Sequence, residues 1–132
     1  MRDAEESRKA AIVCLERAEA ALAQDRSNGA ALAWGVIALA ELGETERARE
    51  WARRALLVDP DNLIMRYNLA CAFAANLADI DTALDLLESW FAAASPHEVK
   101  RIGFDEDMAP IRDHERFRQM LDLAVARTGA EI

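Results

Sequence analysis

The chain has 132 residues, a formal net charge of -8 at neutral pH and 30% charged residues. That length suits one domain with its own core, and the acidity argues against a phosphate backbone or an anionic membrane surface as partner. Apolar residues make up 52% but aromatics only 6%, with Gly 5 and Pro 3; so few turn residues exclude an all-β chain and leave an alanine- and leucine-rich all-α one.

The elements follow in chain order. Residues 1–28 hold a single amphipathic helix, IVCLERAEAALAQDRSN, with Cys14 and Ala21 seven apart on one face. The stretch GAALAWGVIALAELG is apolar at helical spacing and stops at Gly43, where a left-handed cap carries no Cβ penalty. A second helix starts near Thr45 and is stopped by Pro60. Its Ala48, Ala52 and Ala55 share a face, so the two helices can approach closely as a hairpin. The next hairpin carries Leu69, Ala70 and Phe73 on its first helix and Ala83, Leu84 and Leu87 on its second. Beyond it, Ser95 and Glu98 flank Pro96 as a capping box, which predicts a short helix ending at Gly103. A turn over Asp107–Asp113 then leads into a last helix with Phe117, Met120, Leu121 and Ala124 on one face. Trp34 and Trp51, at helical spacing among alanines, are expected to fill gaps in the core.

Little in the chain points to chemistry. Cys14 and Cys71 have no metal-ligand spacing and read as small buried apolar residues. His97 and His114 each precede a glutamate but fall on different short helices, which does not match the zinc-protease pattern. The run Asp105, Glu106, Asp107 lacks the alternating ligands, glycine and distal glutamate of a calcium loop. No phosphate loop or nucleophile elbow occurs, so no cofactor, metal or catalytic residue is expected. No apolar run is long enough to span a bilayer and no signal segment is evident, so a cytoplasmic location is the default expectation.

Cys14 and Ala21 stand 34 positions before Ala48 and Ala55, a repeat period characteristic of tetratricopeptide arrays. With Gly43, Ala48, Ala55 and the Asp59-Pro60 stop, the central stretch resembles a tetratricopeptide repeat, as do Tyr67, Asn68, Leu69, Ala70 and Phe73 of the following helix. Three departures stand out. Gly35-Val36 reverses the usual large-then-small order, Leu77-Ala78-Asp79 replaces the turn glycine with one extra residue, and Trp90 takes a place the family gives to a small residue. The last implies that no ordinary repeat stacks behind the final hairpin.

The resemblance implies an all-α superhelical array of antiparallel helix pairs forming one domain. It divides into a half repeat (1–28), two full repeats (29–62 and 63–95) and a C-terminal capping segment (96–132). It implies a protein-binding groove lined by Ala33, Ile37, Ala40, Glu41, Ile64, Tyr67, Cys71 and Ala74, with Ala30 and Ala75 beside them. Arg47, Arg49, Arg53 and Arg54 would lie on the opposite, convex face and pair with nearby glutamates. The chaperone-binding subfamily fills the groove with basic residues and asparagine; Ala33, Ile37, Tyr67 and Cys71 offer no such clamp. An apolar helix is therefore the expected occupant, from a partner protein, from the parent protein itself or from a second copy. The closing segment is similar to that of bacterial signalling proteins in which such repeats follow another domain, some class III adenylate cyclases among them. The expected role is thus non-enzymatic: a regulatory or scaffolding part of a larger bacterial protein, or alternatively a homodimerisation domain using the exposed half repeat.

Overall fold

A computed structural model describes residues 3–131, and among them the chain is all-α, as composition indicates. The helices are α1 (Ala4–Gln24), α2 (Gly29–Glu41), α3 (Thr45–Val58), α4 (Leu63–Ala75), α5 (Ile80–Ala93), α6 (Pro96–Ile102) and α7 (Glu115–Thr128), with a 3-10 turn at Glu106–Met108. No helix among these residues is long and apolar enough to cross a membrane.

Two turns are built alike, 34 positions apart. Asp25 and Asp59 end α1 and α3 in non-helical conformations, and three residues later Asn28 and Asn62 cap α2 and α4. Each asparagine accepts a hydrogen bond from the N–H three residues on, Ala31 or Met65, at 3.0 Å. Each such cap is worth about 1 kcal/mol to its helix. The hairpin turns differ. Gly43, at φ +78°, closes α2: its N–H donates to Ala40 and that of Glu44 donates to Leu39, so the last carbonyls are satisfied. After α4 the extra residue widens the turn, and the N–H of Asp79 reaches back to Phe73. Here Ala78 takes φ +52°, a left-handed position that costs a residue with a Cβ about 1 kcal/mol.

Packing centres on α2, which touches α1, α3 and α4. A helix covered on three sides must be apolar nearly all round, and α2 buries Ala31, Leu32, Ala33, Gly35, Val36, Ala38, Leu39 and Ala40. Its neighbours present stripes: Ala11, Leu15, Ala18 and Leu22 from α1, and Ala48, Ala52 and Ala55 from α3. The absence of a side chain at Gly35 has a cause in the packing. A Cβ there would lie 2.1 Å from the ring of Trp51. The half-buried Trp51 ring takes the volume that a side chain at position 35 would fill, with the Arg47 guanidinium over its other surroundings at 5.8 Å.

The C-terminal segment closes the far end. The predicted capping box on α6 is present, with Ser95 and Glu98 exchanging hydrogen bonds at 2.9 and 3.2 Å. Helix α7 packs on α5 and α6, burying Phe117 and Ala124, while Met120 and Leu121 are only half-buried. Arg127 donates to the carbonyls of Phe91 and Ala94 at 2.9 and 2.7 Å, which places a cation on the C-terminal end of α5. An aromatic chain runs through this end. Tyr67, Trp90, Phe91 and Phe117 follow one another with centroids 5.0, 5.2 and 5.5 Å apart. Trp90 is buried at the centre of that chain, in the space its size called for.

Two expectations need correction. Trp34 is not core: it is 58% exposed, because it lies on the side of α2 that neither α3 nor the buried stripe of α1 covers. Arg49 does not pair with a neighbouring glutamate. It reaches Asp79 at 2.6 Å, where that carboxylate also caps α5 by accepting from Thr82, and its guanidinium sits 5.7 Å from the Phe73 ring. Arg49 beside it holds the Asp79 carboxyl below its ordinary range. Arg47–Glu44 and Arg53–Glu50 do follow the expected local pattern.

Gly35→Ala tests the packing. Helix propensity alone favours alanine by about 1 kcal/mol, but displacing the Trp51 ring costs about 1–3 kcal/mol. Urea unfolding should show a net loss of stability in the wild-type background. In a Trp51→Ala background the same substitution should become stabilising; destabilisation in both backgrounds would mean that the ring is not what reserves the space.

Candidate functional site

The residues expected to line a groove divide into three groups. Ala33 and Ala40 of α2 and Ala74 of α4 are buried in the core. Ile64 stands apart at the first turn of α4, 76% exposed. Ile37, Glu41, Tyr67 and Cys71 do come together, around a cleft of about 240 Å³ that also takes in Asn68, Asn76, Asp105 and Asp107.

The last two residues change the character of this cleft. The 3-10 turn packs on α4, so the chain's own closing segment forms one wall. The Tyr67 hydroxyl donates to Asp105, and the Asp105 side chain accepts from the N–H of Asp107 at 3.0 Å, holding the turn rigid. Arg112 donates to the Asp105 carbonyl at 2.6 Å. Met108 and Ile111 are fully buried beneath it. An expected apolar groove is thus a narrow cleft with an acidic wall. Sequence reasoning could not place that wall, since Asp105 meets Tyr67 across 38 positions.

Cys71, Asp105 and Asp107 bring one ligand atom each within 4.8 Å of one another. Two of the three are held toward their protonated forms. Burial, then the charges of Asp105 and Asp107, push the Cys71 thiol up to about 12. Burial and the Asp105 charge raise Asp107 as well. The Tyr67 hydroxyl is driven up by burial and by its bond to Asp105. At neutral pH the thiol and phenol keep their protons, so the free Cys71 thiol is a poor nucleophile. His97 is exposed on α6, and His114 caps α7 by accepting from the N–H of Arg116 at 3.2 Å; neither faces this cluster's three ligands.

A second surface lies between α1 and α2. Lys9, Ala10, Val13, Cys14 and Arg17 of α1 and Trp34 of α2 enclose a hollow of about 560 Å³. Apart from the two cations its walls are apolar. Positions 9, 13 and 17 share one line of α1, and 10 and 14 lie one line deeper. Cys14 is half-buried at the floor, its thiol directed at the Trp34 carbonyl at 3.7 Å. Val13, like Trp34, is exposed, and Ile12 beside it is too. Spacing offered a signal for Trp34 that composition hid. It shares a line with Ala30, Ile37 and Glu41, whereas the buried stripe of α2 is Leu32, Val36 and Leu39.

A third hollow, of about 600 Å³, lies between α5 and α7 over Phe91, Met120 and Ala124. Its two arginines are already engaged, Arg116 with Asp85 and Glu88 and Arg127 with backbone carbonyls.

Compared with family models, curated proteins and solved structures, the chain has no significant match in any of the three.

The buried thiol gives a pH test. Cys71 keeps its proton to about 12 in the fold, against an ordinary 9.0. Its contribution to stability is therefore complete below pH 9.0 and lost as the pH climbs toward 12, where the unfolded chain releases the proton first. Urea midpoints should fall across that window, and Cys71→Ala should flatten the fall. An unchanged slope in the variant would show that the thiol is not held protonated.

Proposed function

We infer that the chain is a protein-interaction module of tetratricopeptide type, whose antiparallel helix pairs form a superhelical array that holds another protein and performs no reaction itself. The observation that carries this reading is Trp34. A large ring left 58% exposed beside exposed Val13 is an unusual use of apolar surface, and such rings are enriched among the anchors of protein interfaces. The partner surface in this reading is the open side of α1 and α2, with the groove residues Ile37, Glu41, Tyr67 and Cys71 forming a narrower neighbouring cleft. The repeated Asp-x-x-Asn turns and the 34-residue period support the repeat assignment. The resemblance of the closing segment fits a role as the regulatory or scaffolding part of a larger bacterial protein.

Self-association is the second reading, favoured by the same exposed face, which two copies could cover for each other. Sedimentation over a concentration series separates the two, since the interaction-module reading expects a monomer.

The first reading is tested by affinity capture from native cell extract on the immobilised chain, run in parallel with Trp34→Ala. The expected outcome is a specific protein retained by the wild type and lost from the variant, with both baits giving the same circular dichroism. Identical retention on both would remove the role assigned to this face.

A further inference from the structure

We propose that the hollow between α1 and α2 receives an amphipathic helix whose apolar stripe is flanked by acidic residues. The proposal rests on the interaction-module reading and adds the chemistry of the partner.

Shape selects a helix. The wall on α1 runs from Lys9 to Arg17, about 12 Å of helix axis. That is two turns, facing Trp34 across the hollow. A partner helix laid along it would seat its apolar side chains on Val13, Ala10 and the Trp34 ring, in the way amphipathic helices fill apolar grooves. The small residues at the floor, Ala10 and Cys14, leave the space that those side chains would occupy.

Charge selects the flanks. The protein as a whole carries -8, yet among the described residues the only charged ones lining this hollow are Lys9 and Arg17, both cationic. Among the described residues Arg17 makes no ion pair. Lys9 meets Glu5 at 3.4 Å, but both side chains are largely exposed, and a screened pair of that kind exchanges partners at little cost. One cation at each end of an apolar floor matches a helix with carboxylates beside its stripe. A second copy fits poorly. Pairing the α1 helices about a two-fold axis at Val13 sets Lys9 and Arg17 of one copy against Arg17 and Lys9 of the other, so like charges meet.

The test uses the full chain and two synthetic, conformationally stapled helical peptides of about 15 residues, a length at which unstapled helices are marginal. Both carry the same leucine stripe; one has glutamate flanks and the other lysine flanks. Calorimetry should show binding of the glutamate peptide, weakening as salt rises, with the lysine peptide at least about tenfold weaker. Trp34→Ala should weaken the glutamate peptide about thirtyfold, the loss typical of a central aromatic anchor. Lys9→Glu with Arg17→Glu should reverse the preference between peptides. These three side chains are surface-exposed or rim residues, and unchanged thermal melts would confirm folded variants. Equal binding of both peptides, preference for the lysine peptide, binding that survives Trp34→Ala, or no binding of either peptide would overturn the proposal. A preference for the lysine peptide that Trp34→Ala abolishes would overturn the acidic chemistry alone and leave the interaction-module reading standing. A dimer in sedimentation that Trp34→Ala dissolves would overturn both in favour of self-association.

Discussion

The arrangement depends on how closely three helices come to α2. Close approach needs side chains that end at Cβ or are absent, and α2 supplies them in Ala31, Ala33, Gly35, Ala38 and Ala40, as α3 does in Ala48, Ala52 and Ala55. Leu32, Val36 and Leu39, all fully buried, fill what remains. Alanine contributes little transfer energy per residue, so stability comes from density and from dispersion summed over many contacts. This explains why the few large rings matter so much. Each ring must either occupy a gap left for it, as Trp51 does over Gly35, or lie at an end of the stack.

The two ends of the stack are treated in opposite ways. At the C-terminal end the aromatic chain from Tyr67 to Phe117 joins α4, α5 and α7, Arg127 caps the carbonyls of α5, and the acidic turn closes over α4 through Asp105. At the N-terminal end α1 covers one side of α2 with a single stripe and leaves Trp34 beside Val13 in water. Terminal elements of helical stacks need a polar outer face to remain soluble on their own. Both ends carry charged residues outside, but at the second an apolar hollow opens between Lys9 and Arg17.

Much of the fold was legible in the sequence because it is encoded locally. Gly43, Pro60, the Ser95–Glu98 box and the spacing of alanines each act within a turn or two of helix, and the observed elements start and stop where those residues stand. The cleft was less legible, because its decisive contacts are long-range. Ile37, Glu41, Tyr67 and Cys71 do line one space, but the Asp105–Asp107 wall that makes it narrow and acidic arrives from the closing segment. Arg49 escaped in the same way, reaching Asp79 thirty positions on instead of a glutamate one turn away. Trp34 was misplaced for a different reason. Residue type argued for burial, whereas its line on α2, shared with exposed Ala30 and Glu41, pointed outward, and the line proved the better guide.

The open end can be measured directly. Hydroxyl-radical footprinting of the free chain reads the solvent access of each tryptophan separately. An uncovered face predicts heavy oxidation of Trp34, with Trp90 protected and Trp51 between them. Trp34 protected as fully as Trp90 at low protein concentration would contradict it, for the surface assigned to a partner would then already be closed.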